Sequence, residues 1–325
     1  MEEIKDPQIP EQGIPDKPAD PPRKIAILGE IAFAGRALAY ALATQAITAR
    51  VLCPDEKMEA SLRSIPECSR IEVVLGNLGE KNKIAETMQG VYGATFLSPV
   101  NLKGRMYRPH SHLEDVMSVI EAAENSAVRK LVYHSALGAH PTASSQALRQ
   151  AAEAEELVHG SRCEDFRVRT GPLMGPGDSF LSDILATVNT NSPFMGIPGY
   201  GGTNMQPLHV DDMARCLARI FLEQPDQVLV PNVYSLAGPE TTTELDLVDM
   251  ALARLGRSKI KFHAPIFILQ LLTLTKVGKS LKERLGLILD LLCTDNSDTL
   301  KLLKSSESLI STKQAQEQVL RTVLP

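Results

Sequence analysis

Short apolar runs alternate with helix-like stretches in the first half of the chain, and this alternation most constrains the fold. The runs that have the length and composition of buried strands are KIAIL (24–28), ARVLC (49–53), IEVVLG (71–76), ATFLS (94–98) and KLVYHS (130–135). Helical patterns lie between them, for example over Leu113–Glu124, where apolar residues recur at steps of three and four. Strands that alternate with helices predict an α/β fold with a doubly wound parallel sheet.

The alternation of strands and helices becomes less regular after about Gly171, where turns rich in Gly and Pro separate shorter elements. We therefore predict a Rossmann-type domain over 24–178 and a smaller C-terminal α/β lobe over 179–325, partly interleaved with the sheet. Residues 1–23 hold six of the 21 prolines and many charges, which predicts a disordered leader.

Charge and cysteine content exclude several classes of protein. The chain of 325 residues has a formal net charge of −5, whereas a general nucleic-acid binder has a basic surplus. The five cysteines are scattered and form no C-x-x-C pair, so we expect neither a disulfide framework nor a metal site. The acidic leader resembles neither a secretory signal nor an Arg-rich transit peptide, which favours a cytoplasmic protein.

The first strand ends in GEIAFAG (29–35), a G-x-x-A-x-x-G pattern between a strand and a helix. In that context, backbone N–H groups and the helix N-terminus face the pyrophosphate of a dinucleotide. Gly29 permits the tight turn, and we expect Gly35 to let the helix lie close to the sheet. Ala32 adds a methyl group where backbone approaches phosphate, and Glu30 adds a negative charge. Binding of a nucleotide is predicted, against the alternative of a turn that has kept its shape and lost its ligand.

Asp55 follows Gly35 by 20 residues, where an acidic side chain often binds the adenosine ribose. The alternative, which we favour, is that Asp55 caps the helix that begins at Glu56. Cys53 and Pro54 offer no cation for a 2′-phosphate, so NAD is slightly preferred over NADP.

Three histidine or serine patterns have plainer explanations than catalysis. His110 and His112 have no nearby carboxylate or cysteine partner, which favours a loop or helix surface over a metal site. His209 precedes Asp211 and Asp212, and we expect one of these aspartates to be the N-cap of the following helix. Ser179 lacks the G-x-S-x-G pattern of a hydrolase.

The segment 264–293 combines apolar helix-like stretches with Lys276, Lys279, Lys282 and Arg284. Such a helix can lie in a membrane interface or contact a partner protein. Burial of these helices against the core is the interpretation we prefer, and peripheral membrane contact is the alternative.

Several motifs together resemble the extended and atypical short-chain dehydrogenase/reductases, including NmrA-like proteins. The resemblance runs from Lys24 to about Leu303 and is strongest to the group that contains the nucleotide-binding accessory subunit of respiratory complex I. It rests on the motifs GEIAFAGR (29–36), GNL (76–78), VRKLVYHSALGAHP (128–141), AEAEELV (152–158), RTGPLMGPGD (169–178) and QPLHVDDMARCL (206–217).

This resemblance implies a set of NAD(P)-binding positions. The pyrophosphate would lie along Gly29, Ile31, Ala32, Phe33 and Gly35, with Asn77 and Leu78 beside the adenine. Ser135 would face the nicotinamide, and the segment Gly171, Pro172 and Leu173 would close over the same end.

The resemblance also implies a catalytic Tyr-x-x-x-Lys pair, which this chain lacks. Lysine at the i+4 position lowers the tyrosine pKa, so that the phenol exchanges a proton with substrate. Ala147 and Ala151 occupy those two positions.

Three functions therefore stay open. The first is an NAD(P)-binding protein without Tyr–Lys catalysis, acting as a redox sensor or structural subunit. The second is an oxidoreductase or epimerase with an unconventional proton donor such as Ser135 or a bound water. The third is a nucleotide-free scaffold that acts through its C-terminal helices. The expected partners are a dinucleotide and an unidentified small molecule or protein.

Overall fold

A seven-stranded parallel sheet forms the centre of the fold. The computed structural model describes residues 23–98, 112–222, 232–265, 293–303 and 308–323. The strands of the central sheet are β1 (Lys24–Gly29), β2 (Thr48–Cys53), β3 (Ile71–Leu75), β4 (Gly93–Leu97), β5 (Lys130–Ala136), β6 (Glu164–Thr170) and β11 (Val233–Leu236). Their spatial order is β11-β6-β5-β4-β1-β2-β3. This is the doubly wound order that the alternation of strands and helices predicts, and the predicted fold class is confirmed.

Helices cover both faces of the sheet because successive side chains of a strand point to opposite sides. Ile25 and Ile27 of β1 belong to one core and Ala26 and Leu28 to the other. The helices of the first face are α1 (Arg36–Thr44), α2 (Glu56–Arg63), α7 (Val210–Leu222) and α9 (Ser297–Leu302). Those of the second face are α3 (Lys81–Met88), α4 (His112–Asn125) and α5 (Gln146–His159).

A smaller lobe has its own core beside the sheet. Its helices are α6 (Phe180–Val188), α8 (Glu244–Arg254) and α10 (Thr312–Val323). Its short strands pair as β7 (Leu173–Met174) with β10 (Leu208–His209), β8 (Phe194–Pro198) with β13 (Ile260–Ala264), and β9 (Asn204–Met205) with β12 (Thr242–Thr243). Strand β11 comes from this part of the chain and joins the central sheet, so the lobe is interleaved with it. The domain boundary at residue 178 stays a prediction.

Two predicted segments lie mostly outside the described residues. They are the leader, described only at Arg23, and the segment 264–293, described only at its two ends. Within the described ranges, no helix is both long enough and apolar enough to cross a membrane.

Helix α7 begins earlier than its sequence predicts. Its first residue is Val210, so Asp211 and Asp212 lie inside the first turn, and the predicted aspartate N-cap is wrong. The ring Nδ1 of His209 instead accepts from the N–H of Asp211, at 3.2 Å. Asp212 is fully buried and accepts from the N–H of Ile310, at 2.9 Å. The sequence gives no sign of this long-range bond, which occupies the aspartate that was expected to be the cap.

Candidate functional site

The predicted binding positions follow the carboxyl ends of neighbouring strands, which meet at one edge of a parallel sheet. Strands β1 and β4 are adjacent although β2 and β3 intervene in sequence, so the chain order reverses between them. A crevice for ligands lies at such a switch point in doubly wound folds. Glu30 is at this point, and its N–H donates to the carbonyl oxygen of Leu97, at 2.9 Å.

Gly29 is required by the close approach of β1 to β4. Its φ is +98°, and a Cβ at this position would lie 2.1 Å from the oxygen of Leu97. This agrees with the expectation of a tight turn. A Cβ on Gly35 would lie 2.9 Å from the carbonyl oxygen of Glu30 and 3.1 Å from Cδ1 of Ile31. The atoms nearest to Gly35 therefore belong to its own turn, whereas the sequence analysis expected them to belong to the sheet.

The loop after β1 forms a π-helical turn, Ile31–Gly35, that continues into α1. The sequence predicts a helix from about Phe33 to Gln45, whereas the helical backbone begins at Ile31 and ends at Thr44. Ala32 is exposed, and its methyl group lies on the outside of the turn. The turn is therefore present, and it carries an exposed methyl group at residue 32.

Glu30 folds its side chain over this turn. Oε1 accepts from the N–H of Phe33 at 3.0 Å, and Oε2 accepts from the N–H of Ala34 at 2.7 Å. Burial raises the pKa of Glu30 above its usual range, while hydrogen bonds from the N–H groups of Ala34, Phe33 and Ala32 oppose the rise. The carboxylate is thus the N-terminal cap of the turn. Sequence reasoning identified its charge and missed this role, because glutamate is not a preferred N-cap residue.

Asp55 is the N-cap of α2, as favoured from the sequence. Its Oδ1 accepts from the N–H of Met58 at 2.8 Å. Asn77 is also engaged in a turn, since its Oδ1 accepts from the N–H of Gly79 at 3.0 Å and its Nδ2 donates to Glu80. Leu78 packs against the core beneath α3. These three predicted residues follow β2 and β3, and both polar ones already have local hydrogen-bond partners.

Ser135 lies near the carboxyl end of β5 and is buried. Its hydroxyl has no hydrogen-bond partner within the described part of the chain. The neighbouring segment 171–173 continues from β6 at the same edge. A Cβ on Gly171 would lie 2.6 Å from the oxygen of Gln206 and 3.8 Å from the Leu137 side chain, while Pro172 accepts from the N–H of Leu208 at 3.0 Å. The segment that ends in Leu173 therefore lies beside the residues that follow β5.

Helix α5 presents alanines where a proton-transfer pair is expected. Ala147 and Ala151 are 1% and 0% exposed. Ala151 packs against Ala139 and Ala152 in a small core of its own. The hydroxyl of Ser145 caps the helix by accepting from the N–H of Ala147, at 3.1 Å. Neither position holds an ionisable group.

Asp178 is a buried carboxylate that the sequence analysis did not single out. It accepts from the N–H of Leu181 at 2.6 Å and from that of Gly175 at 3.0 Å, and so caps α6. Burial raises its pKa to about 6. Its position before an apolar helix is an N-cap signal that was available in the sequence. A Cβ on Gly177 would lie 3.9 Å from the Phe33 ring, so this loop adjoins the turn after β1.

His112 is not on the surface, which corrects the expectation. It is fully buried at the start of α4, with Nε2 3.0 Å from the hydroxyl oxygen of Tyr133. The Phe96 ring completes an aromatic group, stacked on Tyr133 with centroids 6.1 Å apart. Within the described ranges no group of three or more His, Cys, Asp or Glu side chains is arranged to hold a metal ion.

Sequence comparison supports the resemblance that the motifs indicate. No protein-family model matches the chain. It is 25% identical over 238 residues to the Arabidopsis thaliana mitochondrial protein NADH dehydrogenase [ubiquinone] 1 alpha subcomplex subunit 9. The match covers 69% of this chain and 56% of the relative, so the chain spans little more than half of that protein's length.

Solved structures share the fold at lower identity. The UDP-glucuronic acid 4-epimerase of Bacillus cereus, in complex with UDP-glucuronic acid and NAD, is 16% identical with a TM-score of 0.71, covering 92% of this chain and 98% of that one. An NADPH-dependent quinone oxidoreductase of Escherichia coli, complexed with NADPH, is 18% identical with a TM-score of 0.68 and coverages of 91% and 99%. Both likenesses establish the fold.

Proposed function

We propose that this chain performs no Tyr–Lys proton transfer and serves as a structural subunit of a larger assembly. The observation that carries the proposal is helix α5, where buried Ala147 and Ala151 stand at the positions of the pair. Ala151 lies in a buried cluster with Ala139 and Ala152, where a lysine would bring an ammonium group into apolar contacts. This apolar setting supports the proposal.

The assembly we propose is of the kind to which the plant relative belongs. That protein is, by its name, a subunit of a mitochondrial NADH dehydrogenase. The compartment of this chain stays a prediction, with a cytoplasmic location expected from its leader and a mitochondrial one suggested by the relative. Contact of 264–293 with a membrane or a partner protein also stays a prediction.

The cofactor class that suits the fold is a nicotinamide dinucleotide, since the solved neighbours hold NAD or NADPH. Cys53 and Pro54 give no cation to a 2′-phosphate, so we propose that a dinucleotide which displaces the Glu30 carboxylate would be NAD before NADP. A redox sensor would need to bind the dinucleotide strongly. The hydrogen bonds from Phe33 and Ala34 to the Glu30 carboxylate argue against strong binding. The structural role is therefore our first proposal.

A turnover measurement tests the absence of catalysis. Purified protein is mixed with NADH or NADPH and a panel of ketones and quinones, which accept a hydride or two electrons, and the absorbance at 340 nm is followed. We expect no cofactor oxidation above the protein-free rate. Oxidation that increases with protein concentration and persists after repurification would contradict the proposal.

Native electrophoresis tests the structural role. A tagged chain is expressed in its source cells, and detergent-solubilised membranes are separated under native conditions. We expect the chain to migrate with the band that stains for NADH dehydrogenase activity, while the tag fused to an unrelated protein does not. Migration at the mass of the isolated chain would count against the proposal.

A second candidate function rests on Ser135. The Ser135 hydroxyl is buried near the carboxyl end of β5 and has no hydrogen-bond partner in the described residues. A bound molecule commonly supplies the partner of such a group. An oxidoreductase or epimerase with an unconventional proton donor would use it. If turnover is found, loss of that turnover in Ser135→Ala would favour this candidate.

A further inference from the structure

We infer that the carboxylate of Glu30 is a built-in anion ligand of the turn after β1, and that it closes the pyrophosphate position to a dinucleotide. The inference concerns binding and stands apart from the absence of turnover. It rests on the hydrogen bonds that Glu30 makes at the switch point of the sheet.

The N–H groups that Glu30 occupies are the ones a dinucleotide needs. The first N–H groups of a helix have no partner within the helix, and in this fold they are directed at the pyrophosphate. Here Phe33 and Ala34 donate to the two oxygens of one carboxylate, at 3.0 and 2.7 Å. Two oxygens on one carbon, each accepting one N–H, reproduce the contact that two phosphate oxygens would make. The residues present therefore do not fit the pyrophosphate while Glu30 is in place.

The backbone on either side fixes Glu30 in this position. Its N–H donates to Leu97 at 2.9 Å, and its carbonyl accepts from the N–H of Gly35 at 3.0 Å. Its φ of −78° and ψ of 101° are extended values that any residue adopts. A smaller side chain at residue 30 is therefore compatible with the same turn, and the carboxylate can be removed without rebuilding the backbone.

A pyrophosphate would meet both a filled donor set and a negative charge. Each N–H carries one hydrogen, so a phosphate oxygen has to displace the carboxylate to be bound well. The displaced carboxylate would stay close to the phosphates, where like charges repel. Ala32, exposed on the same turn, adds a methyl group on the approach.

Glu30→Ala tests the inference by calorimetric titration with NADH, NADPH and ADP-ribose. We expect the Kd of the variant for each of these pyrophosphate-containing ligands to be at least tenfold lower than that of the wild type. The matched control is Thr243→Ala, which removes the cap of α8, where Oγ1 accepts from the N–H of Asp246 at 3.1 Å. The control loses a helix cap in the smaller lobe, away from the N–H groups that Glu30 occupies, and should leave the affinity unchanged.

Glu30→Gln covers the case in which Glu30→Ala is poorly folded. The amide keeps the volume and one accepting oxygen but loses the charge, so its affinity for NADH should lie between those of wild type and Glu30→Ala. If the wild type binds NADH as tightly as both variants, the inference is wrong. A folded Glu30→Ala that gains no affinity also overturns it. Turnover is not measured in these titrations, so their outcome and the test of the proposed function are separate.

Discussion

The guanidinium of Arg169 on β6 forms a bidentate ion pair with the carboxylate of Glu155 on α5. Nε lies 2.9 Å from Oε1 and Nη2 lies 2.5 Å from Oε2. The Glu155 side chain is only 3% exposed, and the pair raises the pKa of Arg169 above its usual range. This contact fixes the helix that carries Ala147 and Ala151 against the sheet.

Removing Arg169 should therefore destabilise the fold. Arg169→Ala leaves a buried carboxylate without its partner, and we expect the free energy of unfolding in urea to fall by about 3 kcal/mol. The double variant Arg169→Met with Glu155→Leu should lose less than the single variant, because no uncompensated charge remains. A double variant that is less stable than Arg169→Ala would contradict this account.

Asp55 separates the role of helix cap from that of ribose ligand. Asp55→Ala should lower the free energy of unfolding by about 1 kcal/mol, because the N–H of Met58 loses its acceptor, while Asp55→Asn should retain most of the stability. Made in the Glu30→Ala background, Asp55→Ala should leave the Kd for NADH unchanged if capping is its sole role. A higher Kd for NADH in that background would show that Asp55 is a ligand of the ribose.

The fold was predictable because it depends on local patterns. Alternating apolar runs placed the first five strands of the sheet to within a residue or two, and the G-x-x-A-x-x-G pattern placed the turn between β1 and α1. The resemblance to short-chain dehydrogenases, and not a spacing rule, put Ser135 and Gly171 at one end of the sheet, and they lie at the carboxyl ends of the adjacent strands β5 and β6.

What failed depends on contacts between distant parts of the chain. His112 is buried because Phe96 and Tyr133 enclose it, and no pattern around His112 reports this. Asp212 binds the N–H of Ile310, nearly 100 residues away. The Glu30 side chain can point into solvent or towards the N–H groups of Phe33 and Ala34. The spacing of residues in the sequence does not distinguish these two directions.

Ala151 tests whether the catalytic position has been closed by packing. Ala151→Lys should lower the free energy of unfolding by at least about 2 kcal/mol, because it overfills the contact with Ala139 and Ala152 and buries an ammonium group. Glu153→Lys, at an exposed position of the same helix, is the matched control and should change stability by less than about 0.5 kcal/mol. Equal stability of the two variants would show that space for the lysine remains.

His134 should make the protein less stable in mild acid. It is buried with Nε2 2.9 Å from Oγ1 of Thr170, and burial lowers its pKa from 6.5 to about 4. Between these pH values the unfolded chain binds a proton at His134 and the folded chain does not. The contribution of neutral His134 to the free energy of unfolding is therefore lost as the pH falls from about 6.5 towards 4. His112 acts in the same direction, with its pKa also lowered to about 4. The free energy of unfolding in urea is measured at pH 7 and at pH 5 for wild type and for His134→Gln. We expect its decrease between the two pH values to be about 2 kcal/mol smaller in the variant. Equal decreases would exclude His134 as a cause.

Asp178 should act in the opposite direction. Burial raises its pKa from 3.8 to about 6, so between these values the folded chain holds a proton that the unfolded chain has released. Its contribution to stability therefore increases as the pH falls from about 6 to 4. Asp178→Asn removes this titration, and it also spoils a cap in which two carboxylate oxygens accept from Gly175 and Leu181. We expect the variant to be less stable than wild type at pH 7, and the difference to widen by up to about 3 kcal/mol at pH 4. A difference that stays constant or narrows towards pH 4 would show that Asp178 titrates near its ordinary pKa, and that its hydrogen bonds outweigh its burial.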